Sequence, residues 1–238
     1  MKYIDAHVHV GYDKDGVSTS IRDVEELIAE GLIDGAVVFA FNEKDGIEQG
    51  NERIAGVAAE HENIAGLFRV DPAIHDPGDL RGLDGFHGFK MHPHSQDFRM
   101  REVYDYLQVI GDTEKPVLIH SGEWIERGHP EGVIDAAEDN PGTDIVAAHN
   151  LKGYYYSAPD EYVDKVQRLD NLHIEVSTMC TPMMLEVLVQ DLGADRILYG
   201  TDYPYGHPLP MNKNFELADI PPEKKEKAAW KNAERLFF

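Results

Sequence analysis

Cysteine is almost absent: Cys180 is the only one in 238 residues, so no internal disulfide can form, and the chain suits a reducing compartment. Basic residues are scarce as well, 22 Lys and Arg against 44 Asp and Glu, for a formal net charge of −22. Such a surface repels phosphate backbones and anionic membranes, which argues against nucleic acid or a membrane as partner. The acidic excess admits two explanations: adaptation to high salt, where self-repulsion is screened, or an acidic enzyme of ordinary solubility. No apolar run approaches the roughly 20 residues of a membrane span. Nothing resembles a secretory leader, because Met1-Lys2-Tyr3-Ile4 runs straight into Asp5-Ala6-His7-Val8-His9. These absences lead us to expect a cytoplasmic protein that acts on a small molecule.

What is present is a repeating alternation. Short apolar runs bounded by turn residues predict strands at 35–40, 64–70, 86–91, 116–120, 144–149, 172–176 and 196–199, after a first strand near residue 4. Between them, spaced apolar residues with capping signals predict helices at 18–31, 48–60, 101–111, 132–139, 161–169, 182–192 and 222–236, with a short segment at 79–83. Eight strands alternating with helices give an α/β chain, read as a single-domain (β/α)8 barrel over residues 1–238. A doubly wound open sheet has the same alternation. The barrel is favoured because polar residues gather at the strand carboxyl ends, which converge on one mouth only when the sheet closes.

Those polar residues are ligand types. His7 and His9 are two apart on the first strand and so share a face. His120, His149 and Asp202 each follow an apolar run directly. Four imidazoles and one carboxylate at one mouth form a set that zinc and similar divalent ions prefer. Any one of them alone would pass as a cap or turn residue; the five together point to a metal site.

The strand-one His-x-His, the histidines ending strands five and six and the strand-eight aspartate resemble the signature of the amidohydrolase superfamily. Gly88-Phe89-Lys90-Met91-His92-Pro93, Gly200-Thr201-Asp202-Tyr203-Pro204 and Asn232-Ala233-Glu234-Arg235-Leu236-Phe237 are most similar to its amidohydrolase-related branch, which includes aminocarboxymuconate-semialdehyde decarboxylase-like enzymes. The resemblance implies that His7, His9, His120 and Asp202 hold one divalent metal, zinc first, with manganese or iron as alternatives. It implies that Asp202 and His149 do the acid–base work. Lys90 resembles the strand-four lysine that bridges two metals in binuclear relatives, but here it is read as a substrate-anion or structural contact and, with His92 and Glu123, as a candidate for substrate binding. TatD-like nucleases share several of the histidines, yet Lys90 and Gly200-Thr201-Asp202 depart from their pattern.

The expected activity is hydrolysis of an amide, lactone or similar carbonyl by hydroxide generated at the metal. Nonoxidative decarboxylation of a small carboxylated substrate is the first alternative, and a metal-binding barrel without turnover the second. The strand-to-helix connections are short, so no lid is evident, and a partner subunit in a homo-oligomer would be one way to cover the site.

Overall fold

The computed structural model describes residues 1–43, 46–122, 127–151 and 160–238. Eight parallel strands form its frame: β1 (Ile4–Tyr12), β3 (Gly35–Ala40), β4 (Ile64–Arg69), β5 (Gly88–Met91), β6 (Val117–Ile119), β7 (Ile145–Ala147), β8 (Leu172–Glu175) and β9 (Ile197–Leu198). The two-residue β2 (Ser18–Thr19) pairs antiparallel with the end of β1. The others pair in chain order from β1 to β9. The circuit then closes: the Ala6 N–H donates to the Tyr199 carbonyl and the His9 N–H to the Tyr203 carbonyl, both at 2.9 Å, and Val8 bridges Tyr203 in parallel. The architecture is the closed (β/α)8 barrel, not the open sheet.

Period-two alternation separates two apolar layers. Val37 and Phe39 of β3, Ala65 and Leu67 of β4, Leu118, Val146 and Leu198 form an inner cluster, joined by Ala233 and Phe237 from the last helix. Their neighbours Val38, Phe68, Phe89, Ile119, Ala147 and Ile174 face outward into the larger layer beneath the helices. Burying a Leu or Phe contributes about 1.5–3 kcal/mol, so even the small inner layer makes a firm floor for whatever stands above it. Above it on the same inward parity come Arg69, Lys90 and Glu175, the polar ends of β4, β5 and β8.

The helices are α1 (Ile21–Ala29), α2 (Ile47–Glu60), α3 (Tyr104–Asp112), α4 (Pro130–Asp139), α5 (Asp160–Arg168), α6 (Pro182–Leu192) and α7 (Pro208–Leu217). A last helical stretch runs through α8 (Pro222–Glu226), one π turn at Lys227–Lys231 and α9 (Asn232–Phe237). Two expectations need correction. Ser18 and Thr19 belong to β2 rather than to the first helix, and Ser20 is the true cap, closing a capping box with Asp23. Helix α7 was not anticipated, because prolines and asparagines dilute its apolar stripe. Its buried residues Pro208, Met211, Asn212 and Phe215 nonetheless fall at the i, i+3, i+4, i+7 positions of one helical face. Among the described residues no helix is long and apolar enough to cross a membrane.

Candidate active site

The first strand carries an irregularity that decides where its histidines point. Asp5 pairs with Ala36 but Val8 with Val38, so β1 holds one residue more than β3 over this stretch. Ile4 and Ala6 face the inner cluster below the irregularity, and Val8 and Val10 face the outer layer above it. The extra residue thus switches parity and lets His7 and His9 stay inside with Ile4 and Ala6. Asp5 holds this bend: its Oδ1 accepts the His7 N–H at 3.1 Å and the Thr201 N–H at 3.0 Å, and its Oδ2 accepts the Thr201 hydroxyl at 2.5 Å. Burial lifts the Asp5 carboxyl to about 7, against hydrogen bonds that lower it.

His7, His9 and Asp202 meet at one point. His9 Nε2 lies 3.0 Å and His7 Nε2 3.2 Å from the same Asp202 Oδ1. His149 Nδ1 is 3.8 Å from Asp202 Oδ2. Both His149 and Asp202 have left-handed backbones, with φ near 60°. Such a conformation costs a non-glycine residue about 1–3 kcal/mol, and that strain is characteristic of functional positions. His120 closes the group from β6: its Nδ1 is 2.9 Å from His149 Nε2, and its ring stacks on His92 with centroids 3.7 Å apart.

The donor set suits a divalent ion. His7, His149 and Asp202 each offer a ligand atom, all within 4.8 Å of one another. Among the described residues the buried His7 Nε2 has no hydrogen-bond partner, despite its closeness to Asp202. Burial, then the nearby Lys90 charge, holds His7 and His9 well below the usual imidazole range, which keeps them in the neutral form that ligates. Burial also raises the Asp202 carboxyl, opposed by His7.

One carboxylate that the sequence reading did not single out organises the cluster. Glu175, fully buried at the end of β8, accepts through Oε2 from His7 Nδ1 at 2.8 Å, the His149 N–H at 3.1 Å and the Ser177 hydroxyl at 2.8 Å, and through Oε1 from the Ser177 N–H. A proton on His7 Nδ1 leaves the Nε2 lone pair facing Asp202. The Ser177 oxygen in turn lies 2.9 Å from His149 Nδ1, so Glu175 steers both imidazoles. Gly200 is the price of that carboxylate: a Cβ there would come 2.1 Å from Glu175 Oε1. The available signal was an acid at inward parity near the end of the buried Leu-His-Ile-Glu-Val run. Glu175→Gln should weaken metal binding by about 10- to 100-fold, as loss of such a supporting carboxylate does. A competitive chelator titration on the folded variant measures this, and unchanged affinity would reduce Glu175 to packing.

The cluster opens into a pocket of about 560 Å³ at the mouth. His92 and His94 line it, as do His9, His120, His149 and Asp202. Lys90 does not. It is fully buried beneath the cluster, its Nζ 4.6 Å from the Phe39 ring centroid, because inward parity on β5 sets it below the strand end. Of the two contacts expected for Lys90, this burial fits the structural one, and the cations that line the pocket among the described residues are Lys14 and Arg69. Glu123 and Trp124 lie outside the described residues. His207 caps α7 with Nδ1 accepting from the Leu209 N–H and takes no part in the pocket.

Solved structures with this fold match the chain from end to end. A dihydroxybenzoic acid decarboxylase from Polaromonas sp. JS666, with bound manganese and the inhibitor 2-nitroresorcinol, is 15% identical, with a TM-score of 0.79 over 99% of this chain and 96% of that one. The 5-carboxyvanillate decarboxylase from Sphingomonas paucimobilis is 15% identical, with a TM-score of 0.77 over 99% and 98% of the two chains. A Pseudomonas putida protein provisionally assigned as a 2-pyrone-4,6-dicarboxylic acid hydrolase is 14% identical, with a TM-score of 0.76 over 99% and 97%. No curated protein matches the sequence significantly. The family model described as amidohydrolase matches residues 4–238, essentially the whole barrel with its histidines and aspartate, and the chain belongs to that family of enzymes.

Proposed function

We propose that the chain is a metal-dependent hydrolase of an amide, lactone or similar carbonyl, with His7, His9, His120 and Asp202 holding one divalent ion, zinc first and manganese or iron as alternatives. The observation that carries this reading is the Asp202 carboxylate, which turns one oxygen to the His7 and His9 imidazoles and the other towards His149. When bound, such an ion polarises a carbonyl and lowers the pKa of water from about 15.7 towards about 7. The chain's residues supply the rest. Asp202 takes a proton with its second oxygen, His149 gives one to the leaving group, and the chain from His149 through Ser177 to Glu175 fixes which imidazole nitrogen carries the hydrogen.

The second reading, nonoxidative decarboxylation of a small carboxylated substrate, is favoured by the decarboxylases among the similar structures. Here the bond between carboxylate and carbon breaks, carbon dioxide leaves, the electron pair stays on carbon, and His149 delivers the proton that completes it. One experiment separates the two. Protein expressed with zinc or manganese supplied should carry about one ion per chain by elemental analysis. It is then assayed on amides, lactones and carboxylated aromatics for simple hydrolysis against carbon dioxide release. Carbon dioxide from the aromatic acids alone selects the lyase, and no metal above background removes both readings.

A further inference from the structure

Arg69 is a buried cation that forms no ion pair with any carboxylate among the described residues. It ends β4 on the inward face above Ala65 and Leu67, and Asn51 of α2 clamps its backbone, accepting from the Arg69 N–H at 2.8 Å and donating to its carbonyl at 3.0 Å. The guanidinium donates from Nη1 to the Ala40 carbonyl and from Nη2 to the Ser95 hydroxyl, both at 2.9 Å. Its buried Nε has no hydrogen-bond partner among the described residues. The carboxylates whose charges act on it have hydrogen-bond partners of their own: Glu43 with Arg53, Asp13 with the Tyr205 hydroxyl at 2.8 Å, and Asp71 with the Ala73 N–H at 2.9 Å. Among the described residues no carboxylate lies within ion-pair distance of Arg69, in a chain with twice as many acids as bases.

Burying a guanidinium without an ion-pair partner is costly: desolvation draws it down to about 10, a fall that the charges of Asp13, Asp71 and Glu43 oppose, so it stays charged at neutral pH. The same side chain lines the mouth pocket beside His92, His120 and Asp202, with Phe41 and Tyr205 as aromatic walls. Its two bonded nitrogens hold the planar fork in place, and a carboxylate is the anion that such a fork matches. We propose that Arg69 anchors a carboxylate of the substrate, which is therefore a flat organic acid held by Arg69 while its reacting group faces Asp202. This deepens the proposed function by naming the substrate class and rests on that pocket being the substrate site.

The test compares binding of benzoate with that of its neutral isostere benzamide, on the metal-loaded protein and again after chelation. Wild-type protein should prefer benzoate by about tenfold or more in both states, as a charge-assisted contact does. Arg69→Gln should abolish the preference, and Arg69→Lys should keep part of it with benzoate about fivefold weaker, since the ammonium lacks the fork. Equal binding of the two probes by wild type, a preference that survives Arg69→Gln, or one that vanishes on chelation would each overturn the proposal, the last by assigning the carboxylate to the ion. If Arg69→Gln does not fold by circular dichroism, Arg69→Lys decides, and undiminished benzoate binding there overturns it equally. A protein that binds no metal yet still prefers benzoate would fail the metal reading while keeping Arg69, so the two failures are distinguishable.

Discussion

Asp202→Asn should lower turnover per bound metal by about a hundredfold or more, the scale of general acid–base catalysis, while metal content falls far less. Asn keeps the size of the side chain and one acceptor oxygen, which can still face His7 Nε2 and His9 Nε2 as Asp202 Oδ1 does at 3.2 and 3.0 Å. It cannot take up a proton. In hydrolysis the second oxygen, on the His149 side, receives the proton of the attacking water and helps return it to the leaving group, so both halves of the reaction suffer. In decarboxylation no water is activated for attack, and the variant should lose activity only in step with its metal. The quantity to measure is turnover divided by metal content, on the best substrate of the panel. A wild-type ratio would remove Asp202 as proton acceptor and move the preference to the lyase.

The barrel was legible because its strands are buried on both faces and read as continuous apolar runs. Gly35–Ala40 and Ile64–Arg69 are each buried throughout. Strand ends were legible too, since a histidine or aspartate just after such a run stands out, and His7, His9, His120, His149 and Asp202 do lie together at one mouth. What escaped was whatever depends on neighbours far away in sequence. The extra residue in β1 shows only against β3, and without it the alternation that makes His7 and His9 share a face would have turned them away from Ile4 and Ala6. Glu175 and Arg69 read as charged ends of apolar strands, and only the closed barrel brings one under His7 and the other to the pocket. For Lys90 the motif left a substrate-anion contact and a structural one open, and its height on β5, which encloses it beneath the cluster, fits the structural one.

His149→Ala should be inactive yet metallated, with turnover down by about 10²- to 10⁴-fold and metal content near that of the wild type. His149 occupies the position where the two assignments of this site diverge. Family resemblance makes His120 the ligand and His149 the acid–base group, whereas the group of ligand atoms that lie within 4.8 Å of one another among the described residues contains His149 and not His120. The hydrogen bonds speak for the former. His149 Nδ1 is engaged with Ser177, and its Nε2 faces His120 Nδ1 at 2.9 Å, so a hydrogen on His120 Nδ1 uses the His149 lone pair and puts the His120 lone pair on Nε2, the nitrogen that would ligate. An imidazole committed at both nitrogens is a poor ligand but a sound link for moving protons. Removing it should therefore cost the proton transfer and spare the ion, while His120→Ala should cost the ion itself. Elemental analysis of the two variants side by side, with turnover on the same substrate, gives the answer. A metal-free His149→Ala beside a metallated His120→Ala would exchange the two roles and make His149 the ligand.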